Sequence, residues 1–287
     1  MVQCESICKN IKEILIKNKK IVSKVDSIFN NVVNLQTDFG LVTCTKKKEV
    51  LVPNGVLLNK EFNPCNYELG QTVYLSDSYT DDETNIFVNL DYVNLIDLHL
   101  YKNDKIINID KLKIKIKLFL KKNNLDFCIG EILCNIKDLN LEEMNRNYSI
   151  DIIDNVLPLF KEFIEKIKNN KSLCDYENIL GFGVGLTPSS DDFVLGMLSV
   201  FCFFNNSRYN ILNKYIKNYV NTTTKISSNM LKNALDDNYP SHIINFYNQI
   251  SVNLEHIENV LEVFLSHGHS SGIDALYGIY VGLYCIL

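Results

Sequence analysis

Two stretches of this chain are almost free of charge, Phe193–Phe204 (FVLGMLSVFCFF) and Ala275–Leu287 (ALYGIYVGLYCIL). Each is apolar on every face of a helix, so each has to be enclosed by other structure. Neither reaches the roughly 18 residues a membrane span requires. Each carries a glycine within its first two turns, Gly196 and Gly278. A missing Cβ lets another backbone come close, so two buried helices crossing at these glycines would satisfy both segments. The chain therefore needs a helical layer thick enough to surround two apolar helices.

The two segments also begin alike. Ser189-Ser190-Asp191-Asp192 followed by Gly196 aligns with Ser271-Gly272-Ile273-Asp274 followed by Gly278. Both are Ser-x-x-Asp with glycine four residues on, and both follow a glycine-containing loop, GFGVGLTP or HGHS. One reading is a pair of capping boxes, with each Ser and Asp closing its own first turn. The other is a ligand site, because helix starts expose N–H groups with partial positive charge. The loops are richer than a cap needs. Gly183 and Gly185 free the backbone, Thr187, Ser189 and Ser190 supply hydroxyls, and His267 and His269 could supply a proton or a charge.

The glycines do not spell a dinucleotide fingerprint, which would require glycine at Leu186 or at Pro188, and no Walker lysine is present. The aspartates would repel a phosphate unless a cation intervened; one of them suits an –NH₂ donor better. No further ligand cluster accompanies them, so no metal and no cofactor is assigned. A third hydroxyl-rich helix start, Thr222-Thr223-Thr224-Lys225 leading to Ser227, is either an ordinary cap or a partner to the same site with Lys225 as its cation.

The remaining sequence sets the architecture. Residues 4–18 place Ile7, Ile11, Ile14 and Leu15 at helical spacing. From Asn31 to Leu100, short β-branched runs broken by Gly40, Pro53, Asn54 and Gly55 predict strands and hairpins. Residues 112–120 fit strand alternation and helix alike; helix is preferred because helical patterns follow. Pro158 is expected to bend a helix there. The expectation is an α+β fold, with a β-rich N-terminal lobe (residues 1–104), open to barrel-like closure, and a mainly helical lobe (residues 105–287) carrying the motifs. A net charge of −5 and only two arginines, Arg146 and Arg208, argue against nucleic-acid binding. Nine scattered cysteines without a CxxC pair, and no apolar leader, read as reduced thiols of a cytoplasmic protein that does not enter membranes.

GFGVGLTPSSDDF, TTKISSNMLKNA and GHSSGIDALYGIYVGL, in that order, resemble the AllH-type family, the H subunit of bacterial oxamate carbamoyltransferase and its relatives. The resemblance covers residues 178–287 well. It departs at Ser190, where the family usually has glycine, and at Asp236-Asp237-Asn238, where a glycine often follows the helix. It implies carbamoyl transfer between carbamoyl phosphate and oxamate, a step of purine catabolism, carried out with companion subunits. The Ser-Thr-Arg-Thr phosphate grip of common carbamoyltransferases is absent, so carbamoyl phosphate would be held by backbone N–H groups, hydroxyls and Lys or His. On this reading Asp191, Asp192 and His269 are the catalytic candidates. Gly183, Gly185, Thr187, Ser189, Ser190, Thr224, Lys225, Ser227, His267, Ser270, Ser271 and Asp274 bind the small anionic substrate. A non-catalytic subunit, or a stand-alone protein acting on another small carboxylate or amide, are the alternatives.

Overall fold

The computed structural model describes residues 1–78, 85–103, 105–123, 129–141, 155–268 and 270–287. They form two compact units, one of Met1–His99 with Tyr239–Ser241, the other of Leu100–Asn238 with His242–Leu287. The fold is α+β, with an N-terminal half-barrel sheet of eight strands and a helical C-terminal region.

The strands of the first unit are β1 (Cys4–Cys8), β2 (Lys20–Ile28), β3 (Val32–Thr37), β4 (Gly40–Thr45), β5 (Gly55–Leu58), β6 (Thr72–Ser76), β7 (Asn85–Phe87) and β8 (Asn94–Ile96). Their order across the sheet is β7-β6-β2-β3-β4-β5-β1-β8. The antiparallel centre follows from sequence. In β2, Ile21, Ser23 and Val25 are buried while Lys20, Val22 and Lys24 point outward. The β3–β4 hairpin turns at Thr37–Gly40, where the Thr37 hydroxyl donates to the Gly40 carbonyl at 2.7 Å and accepts from the Phe39 N–H at 3.3 Å. Helix α1 (Lys9–Asn18) fills only the second part of the segment expected to be helical. Residues 4–8 are instead a strand, paired antiparallel to β5 and parallel to β8. Ile7 faces the core from the strand and Ile11 and Leu15 from the helix, so one apolar series crosses a strand–helix junction.

The second unit holds α2 (Ile109–Lys122), α3 (Ile129–Leu133), α4 (Leu157–Lys168), α5 (Ser189–Phe203), α6 (Arg208–Tyr219), α7 (Lys225–Leu235), α8 (Ser241–Val252, its first residue lying in the other unit), α9 (Ile257–Leu265) and α10 (Ser271–Ile286). Residues 112–120 are helical, with Leu112, Ile116, Phe119 and Leu120 buried. Pro158 does not bend a helix; it sits in the first turn of α4, where its missing N–H costs nothing. Every residue of α5 is buried, and α10 is nearly as enclosed. These two helices form the centre of the unit. Around α10 lie α2, α3, α4 and α9; around α5 lie α3, α6 and α7. The eight cysteines among the described residues are free thiols, and Cys128 lies outside them. Among the described residues no helix is long and apolar enough to cross a membrane.

Candidate functional site

The helix pair α5–α10 is built as a repeat. A Cβ added to Gly196 would stand 2.0 Å from the Ala275 carbonyl oxygen; one added to Gly278 would stand 2.0 Å from the Phe193 carbonyl oxygen. Phe193 precedes Gly196 by the same three residues as Ala275 precedes Gly278. Each helix therefore presents its glycine to the equivalent carbonyl of the other, and the two run in the same direction with their starts together. Thr187 and Ser271 confirm the meeting of those starts, with hydroxyl oxygens 2.6 Å apart.

The polar residues of the echo follow the same exchange. Hydroxyls of Ser271 and Thr187 favour the ionised form of Asp192, and those of Ser189 and Ser270 do so for Asp274. The serine of one motif thus serves the aspartate of the other. This corrects the capping-box reading: neither α5, whose N-cap is Pro188, nor α10, whose N-cap is Ser270, has a side-chain cap. Asp274 Oδ1 also accepts from the Ile129 N–H at 3.0 Å. The second oxygens, Oδ2 of Asp192 and Oδ2 of Asp274, are buried without a hydrogen-bond partner. Burial holds Asp192 well above the usual carboxylate range, and the negative charge of Asp274 adds to it. Burial alone raises Asp274 to about 7 despite its donors. Burial of both carboxyls, with the charge of one raising the other, favours the protonated form of Asp192 at neutral pH.

Asp191 plays another part. Its Oδ1 accepts from the Gly181 N–H at 2.8 Å and from the Ser190 hydroxyl at 3.4 Å, and its Oδ2 from the Thr223 hydroxyl. Burial raises its pKa, opposed by these donors and by the Ser227 hydroxyl. Asp191 ties the glycine loop to the segment ahead of α7. No local pattern marks these partners, because they lie 10 and 32 residues away. Ser190 closes the same loop. Its hydroxyl accepts from the Phe182 N–H at 2.9 Å and its own N–H donates to the Phe182 carbonyl at 3.0 Å. The Ser190 side chain thus clasps the loop. Gly183 lies at φ +121°, and a Cβ there would meet the Ser189 nitrogen at 2.6 Å, so glycine is required on both counts. Gly183, Val184, Gly185 and Leu186 form an exposed crest, with Val184 90% accessible.

Thr224 caps α7 by accepting from the Ser227 N–H at 3.2 Å, the ordinary reading of that segment. Its hydroxyl also donates to the Leu186 carbonyl at 2.5 Å, which brings the third motif to the glycine loop. Lys225 is exposed and Ser227 buried. His267 sits in the loop before α10, partly covered, with its Nδ1 enclosed and unpartnered. Burial lowers it to about 4, so its imidazole is neutral at pH 7. His269 lies outside the described residues. His242 is a neighbour that sequence reading missed. This buried residue of α8 stacks on His267 with ring centroids 3.9 Å apart, and its own Nδ1 is unpartnered. Burial and the neighbouring His267 hold it well below the usual histidine range. Nothing in a local window of SHIINFYNQIS marks it, since its partner is 25 residues downstream.

The site thus brings three motifs together around two buried carboxyls with raised pKa values and a ring of hydroxyls beneath an exposed glycine crest. Residues 179–283 match the family model described as "Oxamate carbamoyltransferase subunit AllH", and residues 3–95 match the "AllH family N-terminal domain". The chain belongs to the AllH family. No curated protein and no solved structure matches it. The longer AllH match opens at Ile179, two residues before the glycine loop, and runs to Leu283 within α10. Every motif of the candidate site falls inside it.

Proposed function

We propose that this chain is a subunit of an oxamate carbamoyltransferase-like enzyme and that the paired helix starts hold its small anionic substrate. The observation that carries this reading is the pair of buried, unpartnered carboxyl oxygens on Asp192 and Asp274, set against the Thr187–Ser271 hydroxyl contact. Family membership supports the reaction class. In that reaction the oxamate nitrogen attacks the carbamoyl carbon, the bond from that carbon to the phosphate oxygen breaks, and one proton leaves the nitrogen. Asp192 or Asp274 accepts from an –NH₂ of carbamoyl or oxamate, and the ionised member of the pair takes the proton. Backbone N–H groups and hydroxyls around Gly183–Ser190 bind phosphate or carboxylate oxygens. His267, neutral at pH 7, and His269 are the candidates for proton exchange with phosphate. Positioning carries most of the rate, since the transfer needs no covalent enzyme intermediate. Asp191 keeps the loop in place.

Companion subunits follow from the family's description as a subunit. The test is co-expression with those subunits and an assay of phosphate-dependent oxalurate cleavage. Asp192→Asn and Asp274→Asn should each lower kcat by about 10²-fold or more. Wild-type rates in both variants would overturn the site assignment. Intact binding of companion subunits alongside those rates would instead support a non-catalytic role.

A further inference from the structure

At the opposite end of α5, two helices terminate around one cleft. Helix α5 closes with Asn205 in the left-handed conformation (φ 49°), the Asn206 N–H donating to the Phe201 carbonyl at 2.9 Å. Helix α7 closes the same way, with Asp237 at φ 59° and the Asn238 N–H donating to the Asn233 carbonyl at 3.0 Å. Between them opens a cleft of about 230 Å³, lined among others by Lys102, Cys202, Asn205, Tyr209, Asn210 and Asp237.

Asp237 is an unfavourable residue for its position. Helix ends carry partial negative charge, which disfavours a carboxylate. The left-handed slot after a helix suits glycine or asparagine better. Stability alone would therefore select Asn or Gly here. Two neutral donors serve the carboxylate: the Tyr209 hydroxyl at 2.7 Å and the Cys202 thiol at 3.2 Å, both on Oδ1. Burial, reinforced by Asp237, raises both donors, so their hydrogens remain in place at neutral pH. Some of the carbonyls are used by the chain itself, since Leu100 N–H donates to the Asp237 carbonyl and Asn103 N–H to the Phe203 carbonyl. The nearby guanidinium of Arg208 is engaged by the Ile167 and Lys168 carbonyls and by Asn206 Oδ1. Lys102 is the basic residue of the lining, and its side chain is exposed.

We propose that this cleft is a binding site for a small organic cation, whose ammonium or guanidinium N–H groups donate to Asp237 while the asparagine amides hold its body. Two helix C-termini and a carboxylate supply a negative field that the start of α6 and Lys102 offset only in part, the volume exceeds what a bare ion needs, and the amides supply neutral donors and acceptors. The site is separate from the paired helix starts and does not depend on the function proposed for them.

The experiment is calorimetric titration of the full chain with methylguanidinium and 1,4-diaminobutane, with methylurea and potassium chloride at matched ionic strength as controls. Saturable binding of at least one cation, and none of the controls, is expected. Asp237→Asn preserves the left-handed backbone and an acceptor for Tyr209, so it should fold and weaken binding by tenfold or more. Lys102→Ala should bind as tightly as wild type or more tightly. Equal affinity in Asp237→Asn overturns the proposal, as does the absence of saturable binding to wild type. Binding seen only in Lys102→Ala also overturns it, by assigning Lys102 as the resident counterion.

Discussion

Asp274 and His267 give opposite pH signatures. Asp274 has a carboxyl near 7 in the folded chain, against about 4 when unfolded. Its neutral form suits the fold, so its contribution is complete below pH 4 and is lost as pH rises through 7. His267 titrates near 4 when folded, against about 6.5 when unfolded. Its contribution is complete above pH 6.5 and is lost as pH falls through 4. Between about pH 4 and 6.5 the two changes have opposite slopes and largely cancel, so each shows only in a variant that removes the other. Asp274→Asn keeps an acceptor for the Ile129 N–H and removes the alkaline loss. Its melting temperature should exceed that of wild type at pH 8 by about 5 °C. The difference should vanish at pH 4, as measured by calorimetric scans; a constant difference across that range would contradict the assignment. Asp191 predicts a different kind of change. Asp191→Ala leaves the Gly181 N–H and the Thr223 hydroxyl without their acceptor, and should cost about 1–3 kcal/mol. Hydrogen exchange at Gly181 should accelerate. Unchanged exchange there would remove Asp191 from its clasping role. The sequence marked all three aspartates but not their division of labour, because their partners come from α3, the glycine loop and the segment before α7.

At the level of elements, the α5–α10 pair was the most legible part of the chain. Two helices that are uncharged beyond their first turn, with a glycine at the same place, admit few arrangements, and the observed exchange of Gly196 and Gly278 against opposite carbonyls is one of them. Gly278→Ala gains about 1 kcal/mol of helix propensity. It also places a methyl group 2.0 Å from a backbone oxygen, which no rotamer change can relieve. The net loss should be about 2 kcal/mol or more, seen as a lower denaturant midpoint. Gly196→Ala should behave alike; a stabilised variant of either would show that the backbones are not held in contact. The strand at Cys4–Cys8 was not legible as such. Its apolar residues join those of α1 into one helical series, and the β5 and β8 partners that decide the matter lie about 50 and 90 residues away. Pro158 could bend a helix or begin one, and only the boundary of α4 tells which.

At the scale of the molecule, the chain visits the first unit twice. Tyr239–Ser241 returns to it after the helices through α7. The Tyr239 N–H donates to the Leu98 carbonyl and the Ser241 N–H to the Leu51 carbonyl, each at 2.9 Å, and the Ser241 hydroxyl reaches the Lys48 and Glu49 carbonyls. A fragment ending at residue 99 lacks this segment. It should melt earlier than the same unit in the full chain, with faster exchange in the strands next to Leu51. Native-like melting of the fragment would show the returning segment to be dispensable. Composition could not foresee this return, since three residues carry no periodicity.

The exchange between α5 and α10 has one more consequence. In a two-fold homodimer, residue i of one copy meets residue j of the other and the reverse contact follows by symmetry. This chain contains such an isologous contact within itself, with Ser189, Asp192 and Gly196 matched to Ser271, Asp274 and Gly278. A substitution in a homodimer alters both halves at once, whereas here it alters one. Each half can therefore diverge while the other keeps the packing. Where the halves already differ, Asp191 against Ile273 and Ser190 against Gly272, one start has acquired the clasp that secures the glycine loop and the other the close approach to Phe264.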